Sequence, residues 1–251
     1  MANLSVEPND RVTFRVVHED EHVIIVDKPS GLASQPGLGH LTGTLLNGLF
    51  ARHGAKMQNL GAARDFGLLH RLDKDASGLM AAALSIPAWE GLRAAFEKRE
   101  VKKLYYAISA GVPNRPTGVI DRPIVESQGD MLTAKISSRG KVARTAYRVL
   151  AANDPFSFVE ARTLTGRLHQ VRVHLASIGC AILGDRIYAK PHAASLCRRL
   201  ALHAHSLSFE HPVSAMPVRA DSPLPKDLRA LCKRVGIDWD RRTQSDSTLE
   251  S

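Results

Sequence analysis

The stretch His70–Gly78, His-Arg-Leu-Asp-Lys-Asp-Ala-Ser-Gly, constrains this chain more than any other. Apolar runs enclose it: Phe66-Gly67-Leu68-Leu69 before and Leu79-Met80-Ala81-Ala82-Ala83-Leu84 after. Alternation of this kind predicts a strand, a tight polar loop and a second buried strand or segment, with Asp73 at the rim of a core. A carboxylate carried on rigid elements but open to a cleft suits a nucleophile or a base. Taken alone, the pattern also fits Asp73 and Asp75 as ordinary turn residues that hydrogen-bond their own backbone.

The partner class follows from charge. With 34 Lys+Arg against 25 Asp+Glu, the 251-residue chain carries a formal net charge of +9. Such an excess points to a polyanion, nucleic acid first. An anionic membrane surface is the rival, but no apolar run is long enough to span a bilayer and no basic amphipathic anchor stands out. The N-terminal residues lack an apolar signal region, and Cys180, Cys197 and Cys232 form no C-x-x-C pair. Both features suit reduced thiols in a cytoplasmic protein.

Along the chain, residues 12–17 and 22–27 read as a hairpin around Glu19-Asp20-Glu21. Thr44 to His53 has helical periodicity, with Gly54 as a stop, and Pro87 opens a second helix bearing Trp89, Leu92 and Phe96 on one face. Residues 101–110 read as a strand in which Lys103, Tyr105 and Ala107 point one way and Leu104, Tyr106 and Ile108 the other. Arg144–Leu150 and Phe156–Leu164 are further strands. Thr165-Gly166 can cap a helix from Arg167 to Ile178, which puts Arg167 in its first turn. A strand at 203–209 and a helix from Lys226 to Val235 complete the pattern. Irregular interleaving predicts an α+β fold with a mainly antiparallel sheet. One domain over residues 11–238 is expected, between a frayed segment 1–10 and a polar tail 239–251.

Phosphate-binding, zinc-protease and serine-hydrolase motifs are absent. His203 with His205, and His169 with His174, lack a third ligand at metal-binding spacing, so neither metal nor cofactor is expected.

Five ordered blocks resemble the RluA-type RNA pseudouridine synthases: Val17–Leu32, His70–Gly78, Lys103–Ala107 with Gly111, Thr165–Leu175 with Leu183-Gly184-Asp185, and Leu202–Ala204 with His211-Pro212. The resemblance spans roughly residues 17 to 230. One departure is Ala76, where the family usually has Thr. Many relatives carry a small RNA-binding domain before the catalytic one; here the catalytic-type sequence begins almost at once, so the resemblance implies a catalytic domain alone.

It also implies a mixed, mainly antiparallel sheet with flanking helices and a central RNA-binding cleft. Asp73 is then the essential carboxylate, Tyr105 the active-site tyrosine that stacks on uracil, and Arg167 the cation that keeps Asp73 ionised and aimed. Tyr106 takes the tyrosine role if the strand phase is off by one. Arg71, with His70 beside it, is the candidate for holding a flipped-out base. Arg172 is a second cation or a phosphate contact. Lys102 and Lys103, with Arg93, Lys98 and Arg99, form one basic cluster; Lys141, with Lys135, Arg139, Arg144 and Arg148, forms another, and both fit an RNA track. The expected protein is a cytoplasmic, monomeric, cofactor-free isomerase acting on ribosomal or transfer RNA. The alternatives are a catalytically silent RNA-binding or RNA-folding protein on the same scaffold and, more distantly, an RNA hydrolase.

Overall fold

The computed structural model describes residues 6–37, 41–127 and 132–240. In chain order the elements are β1 (Arg15–Glu19), β2 (Val23–Lys28), α1 (Leu45–Leu60), a 3-10 turn (Ala62–Gly67), β3 (Ser77–Ala83), α2 (Ile86–Glu97) and β4 (Lys102–Ala110). Then follow β5 (Thr117–Asp121), β6 (Ile124–Ser127), β7 (Thr133–Ile136), β8 (Arg144–Asn153), β9 (Phe156–Thr163), α3 (Gln170–Ser177) and β10 (Ala181–Ile182). The chain closes with α4 (Pro191–Ser195), β11 (Leu202–Glu210), β12 (Pro217–Asp221) and α5 (Lys226–Arg234). The fold is α+β, and every strand pair whose register is defined runs antiparallel.

The chain divides into two compact units: Met1–Lys103 with Ala204–Ser222, and Leu104–His203 with Pro223–Ser251. Of the expected chain ends, residues 1–5 and 241–251 lie outside the described residues. Asn9, inside the first of them, is tied down: its backbone N–H donates to Asn47 O at 3.0 Å and its amide to Thr42 O at 2.6 Å.

In the first unit, β1, β2 and β3 form a meander that continues into β11 and β12. All seven residues of β3 are buried, which is why Ser77–Ala83 reads as an unbroken small and apolar run rather than an alternating one. One face packs with β2, α2 and β11 around Val23, Ile25, Leu79, Ala81, Leu92, Leu207 and Phe209, with Trp89 and Phe96 at the margin. Gly78, at φ 114°, lets the backbones of β3 and β11 approach so closely that a Cβ would collide with Ala204. In the β1–β2 turn, Asp20 accepts the N–H groups of His22 and Val23, both at 2.8 Å.

Two expectations in this unit are corrected. The run Phe66–Leu69 is not a strand. Asp65, Phe66 and Gly67 all have positive φ, at 45°, 49° and 93°, and only Leu68 bridges to Ala82. Helix α1 does not stop at Gly54: it kinks at His53 and runs to Leu60, ending at Gly61. An interior Gly costs about 1 kcal/mol. Burying Met57 and Leu60 beyond it, each worth roughly 2 kcal/mol, outweighs that cost.

The second unit has the strand order β4-β9-β8-β5, with β10 on β4 and a separate β6–β7 hairpin. Ile124, Ala134, Ala143 and Val173 form a small core between that hairpin and α3, with Leu168 and Tyr188 against it. Here α3 begins at Gln170, three residues later than expected. His169 takes a left-handed φ of 53°, which no helix interior accepts, and the preceding turn is held by the Gln170 and Glu126 side chains together with a backbone bond from Gln170 N–H to Arg167 O. Arg167 therefore sits in the turn before α3, not in its first turn. Thr165, the expected cap, accepts from Arg144 N–H at 3.0 Å and does not cap α3.

Candidate active site

The loop that carries Asp73 is short, and its main chain is almost wholly consumed by hydrogen bonds. Ser34 Oγ donates to Leu72 O at 2.8 Å and accepts from Leu72 N–H at 3.1 Å. Ala76 N–H donates to Asp73 O at 3.1 Å, Gly31 N–H to Lys74 O at 2.8 Å, and Ser30 Oγ to Asp75 O at 2.7 Å. The ammonium of Lys28, fully buried, reaches the carbonyls of Ala76 at 2.6 Å, Leu32 at 2.7 Å, Pro29 at 3.0 Å and Lys74 at 3.1 Å. Each carbonyl from Leu72 to Ala76 thus has a donor, and three ammonium protons serve four oxygens.

Leu72 is buried and Ala76 is buried, while Asp73 between them is partly exposed and Arg71 is exposed. The rim position expected from the apolar flanks is the one observed. A buried, charge-assisted clamp beneath the partly exposed Asp73 is a preorganised arrangement, because the main chain of the loop is already held.

His70 is placed away from what an RNA contact asks for. Its Nε2 accepts the Ala81 N–H at 3.0 Å, and its ring lies 5.2 Å from that of Phe96. The residue keeps some exposure, but Nδ1 is shielded from solvent, and the nitrogens set its proton affinity. Desolvation, reinforced by the positive charge of Lys103, lowers its pKa to about 3, so the imidazole is neutral. Lys103 lies over Phe96 at 5.2 Å and is itself pushed down to about 8 by desolvation. Lys102 beside it is exposed, as are Arg93, Lys98 and Arg99.

Tyr105 and Arg167 belong to the second unit. Tyr105 is buried on β4, opposite Ala161 of β9, and Tyr147 of β8 flanks the same alanine on its other side. The small residue leaves room for two rings on one sheet face. Tyr106 points the other way and packs its ring 5.0 Å from Phe158. Arg167 is partly exposed, and its Nε donates to Val142 O at 3.1 Å. Lys141, next to Val142, is exposed.

Arg172 is likewise unsuited to a phosphate. It is buried and makes a two-pronged bond to Asp185, Nε to Oδ2 and Nη2 to Oδ1, both at 2.8 Å. Burial alone would raise the Asp185 pKa. Arg172 and the N–H groups of Ile187 and Tyr188 outweigh it and hold the carboxyl below its ordinary value.

Sequence reasoning singled out neither Lys28 nor Ser34 nor Gln170 for a role. All three lie inside or just beyond the quoted blocks. The available signal was a polar residue in an otherwise buried context: Lys28 ends the apolar run Val23–Val26, and Gln170 opens that of α3.

The family model for RNA pseudouridylate synthase matches residues 22–177. The chain belongs to that family. The matched span takes in the Asp73 loop, Tyr105 and the Arg167 turn. A ribosomal large subunit pseudouridine synthase D of Zymomonas mobilis is 39% identical over 240 residues, 92% of this chain and 75% of that protein. The protein of the same name from Pseudomonas aeruginosa is 37% identical over 229 residues, 86% of this chain and 70% of its own length. The solved structure of human RNA pseudouridylate synthase domain containing 4 is similar at a TM-score of 0.69 and 25% identity, covering 89% of this chain and 94% of that one. The RluA-type resemblance of the five blocks agrees with these findings, and the chain is an isomerase acting on uridine in RNA. No helix among the described residues is long and apolar enough to cross a membrane.

Proposed function

We propose that this synthase isomerises a uridine of large-subunit ribosomal RNA, as the names of its relatives suggest, with Asp73 as the essential carboxylate. Pseudouridine formation breaks the bond from ribose C1′ to uracil N1, rotates the base and rejoins C1′ to C5, from which a proton leaves. One carboxylate suffices as nucleophile or base, without redox change. The observation that carries the assignment is the clamped loop, in which every main-chain carbonyl from Leu72 to Ala76 is engaged and Asp73 lies at the partly exposed rim.

Tyr105 is proposed to stack on the target uracil, and Arg167 to supply the positive charge that a reacting carboxylate calls for. Arg71, exposed beside Asp73, supports the extruded nucleotide. Lys102 and Lys141 contact phosphates. His70, Lys103 and Arg172 leave the RNA-contact set: the first two shape the ground beneath the loop, and the third holds Asp185. Residues 11–238 are read as one catalytic domain, in a monomeric cytoplasmic enzyme that needs neither metal nor cofactor.

The decisive experiment has two arms. Tritium release from C5-labelled uridine RNA is measured for the wild type and Asp73→Ala; release by the variant at the wild-type rate overturns the assignment. Pseudouridines are mapped in ribosomal and transfer RNA from cells with and without the gene. A lost site in large-subunit RNA supports the substrate, and a lost site in transfer RNA alone replaces it.

A further inference from the structure

Behind Arg167 lies a buried network of side chains in which the direction of every hydrogen bond is fixed. Gln170 is at its centre. Its Nε2 donates to Arg144 O at 2.9 Å and to Thr145 Oγ1 at 3.0 Å. Its Oε1 accepts from Thr165 Oγ1 at 2.7 Å and from the backbone N–H of Arg167 at 3.1 Å. A carbonyl can only accept and a backbone N–H can only donate, so the orientation of the amide is forced. Beyond it, Thr145 Oγ1 meets His174 Nδ1 at 2.8 Å, and His174 Nε2 meets Arg122 O at 2.9 Å. Arg122 O needs a donor, so Nε2 carries the proton and Nδ1 accepts from Thr145.

Gln170, Thr165, Thr145 and His174 are all buried, the last two completely. Desolvation lowers the pKa of His174, which keeps it in the neutral form that the network uses. The network ends on one functional segment. The main chain of Arg167 hangs from Gln170, and its guanidinium from Val142 O. Both anchors lie against residues 142–145, where β8 begins. Left-handed His169 separates this turn from the body of α3, and a backbone bond of 3.2 Å from Gln170 N–H to Arg167 O adds to the side-chain anchor.

We propose that Gln170 is the positioning residue for Arg167: its Oε1 sets the path of the turn, and Thr145 and His174 hold Gln170 in its working orientation. This inference rests on the reading of Arg167 as part of the active site, and the test separates the two. Single-turnover rate at saturating RNA, RNA affinity and thermal midpoint are measured for Gln170→Leu, Arg167→Ala and the double variant. Gln170→Leu is expected to slow turnover by about tenfold or more, the size a small misplacement produces. RNA affinity should stay within about twofold, because no phosphate contact is lost. In the Arg167→Ala background the same change should cost nothing further, since a group already removed cannot be misplaced.

Equal loss in both backgrounds, or an unaltered rate in Gln170→Leu, overturns the inference while leaving Arg167 in its role. An unaltered rate in Arg167→Ala overturns both. Should Gln170→Leu fail to fold, Gln170→Glu serves. It keeps an acceptor for Arg167 and Thr165 but loses the donor to Arg144 O and Thr145 Oγ1, which hold the side chain, while the bonds that set the turn remain. Its thermal midpoint should fall while its rate stays within about threefold of wild type, the split that differential loss of ground-state and transition-state interactions predicts. A rate that fell in step with stability would mark Gln170 as merely structural.

Discussion

Lys28 Nζ donates to the carbonyl of Ala76 at 2.6 Å, across 48 positions of sequence. One buried ammonium thereby fixes both the loop that leaves β2 and the loop that carries Asp73. Replacing it with the apolar near-isostere in Lys28→Met strands carbonyls at Leu32 and Ala76, each worth about 1–3 kcal/mol when left unsatisfied. We expect a loss of about 2–4 kcal/mol in urea unfolding, accompanied by a large fall in turnover. A variant as stable as wild type would show that the clamp does not hold the loop.

Asp73→Asn and Asp73→Ala should behave differently from Lys28→Met. The main-chain carbonyls of residues 72–76 are held by Lys28, Ser30, Gly31, Ser34 and the Ala76 N–H, and the substitution leaves each of these donors in place. Turnover should drop to background while the thermal midpoint stays close to wild type. A collapse of stability would instead give Asp73 a structural role.

Tyr105→Ala should damage turnover far more than Tyr106→Ala, because the two rings occupy opposite faces of β4 and only Tyr106 packs on Phe158. Rate comparison at saturating RNA checks this. The reverse ranking would transfer the stacking role to the other face.

His70 supplies a pH test with a defined sign. Its folded pKa of about 3 lies below the ordinary 6.5, so the unfolded chain binds a proton that the folded chain refuses. The stabilisation is complete above pH 6.5 and is lost as pH falls from there toward 3. Across that window the slope contributed by His70 is at most about 1.4 kcal/mol per pH unit. His70→Gln keeps an acceptor for the Ala81 N–H but cannot titrate. Its stability should fall less steeply than wild type between pH 6.5 and 4.5, read by denaturant unfolding at each pH. Parallel curves would refute the assignment.

The arginines should separate by role. Arg172→Ala leaves the Asp185 carboxylate buried without its main partner, and such losses typically cost about 3–5 kcal/mol. It should unfold early rather than bind RNA with a changed salt dependence. Lys102→Ala and Lys141→Ala, both exposed, should flatten the slope of log K against log salt by about 0.7 each while stability holds. Arg71→Ala should slow the saturated rate. An effect of Arg71→Ala confined to affinity would make it an ordinary phosphate contact.

The strands were legible because their burial is periodic or continuous: β3, β4, β8, β9 and β11 lie within a few residues of the alternation in the sequence. The rim position of Asp73 was legible for the same reason, since its apolar neighbours lie beside it in the chain. What escaped depends on distant partners. Nothing local in Ala62–Gly67 announces three successive positive φ values, and the glycine at 67 is required only because Ala83, distant in sequence, fills the place of its Cβ. Helix α1 passes Gly54 because Met57 and Leu60 find a core. Lys28 reads as a surface residue until the loop it binds, 46 to 48 positions later, is folded against it. The resemblance offered His70 as a companion of Arg71, and Arg172 stood as a second cation or a phosphate contact; the Ala81 N–H that His70 accepts and the Asp185 that Arg172 pairs with are distant in sequence and could not be read there.

The clamp also bears on how the Asp73 motif can be moved. The nine residues His70–Gly78 do not fix the shape of their loop alone; Lys28, Ser30, Gly31 and Ser34 hold it from outside. Grafted alone onto another scaffold, the motif would keep its letters and lose its geometry. The smallest transferable piece is discontinuous, a pair of segments from opposite sides of α1, and an engineer who shuffles this enzyme with a relative should cut outside both.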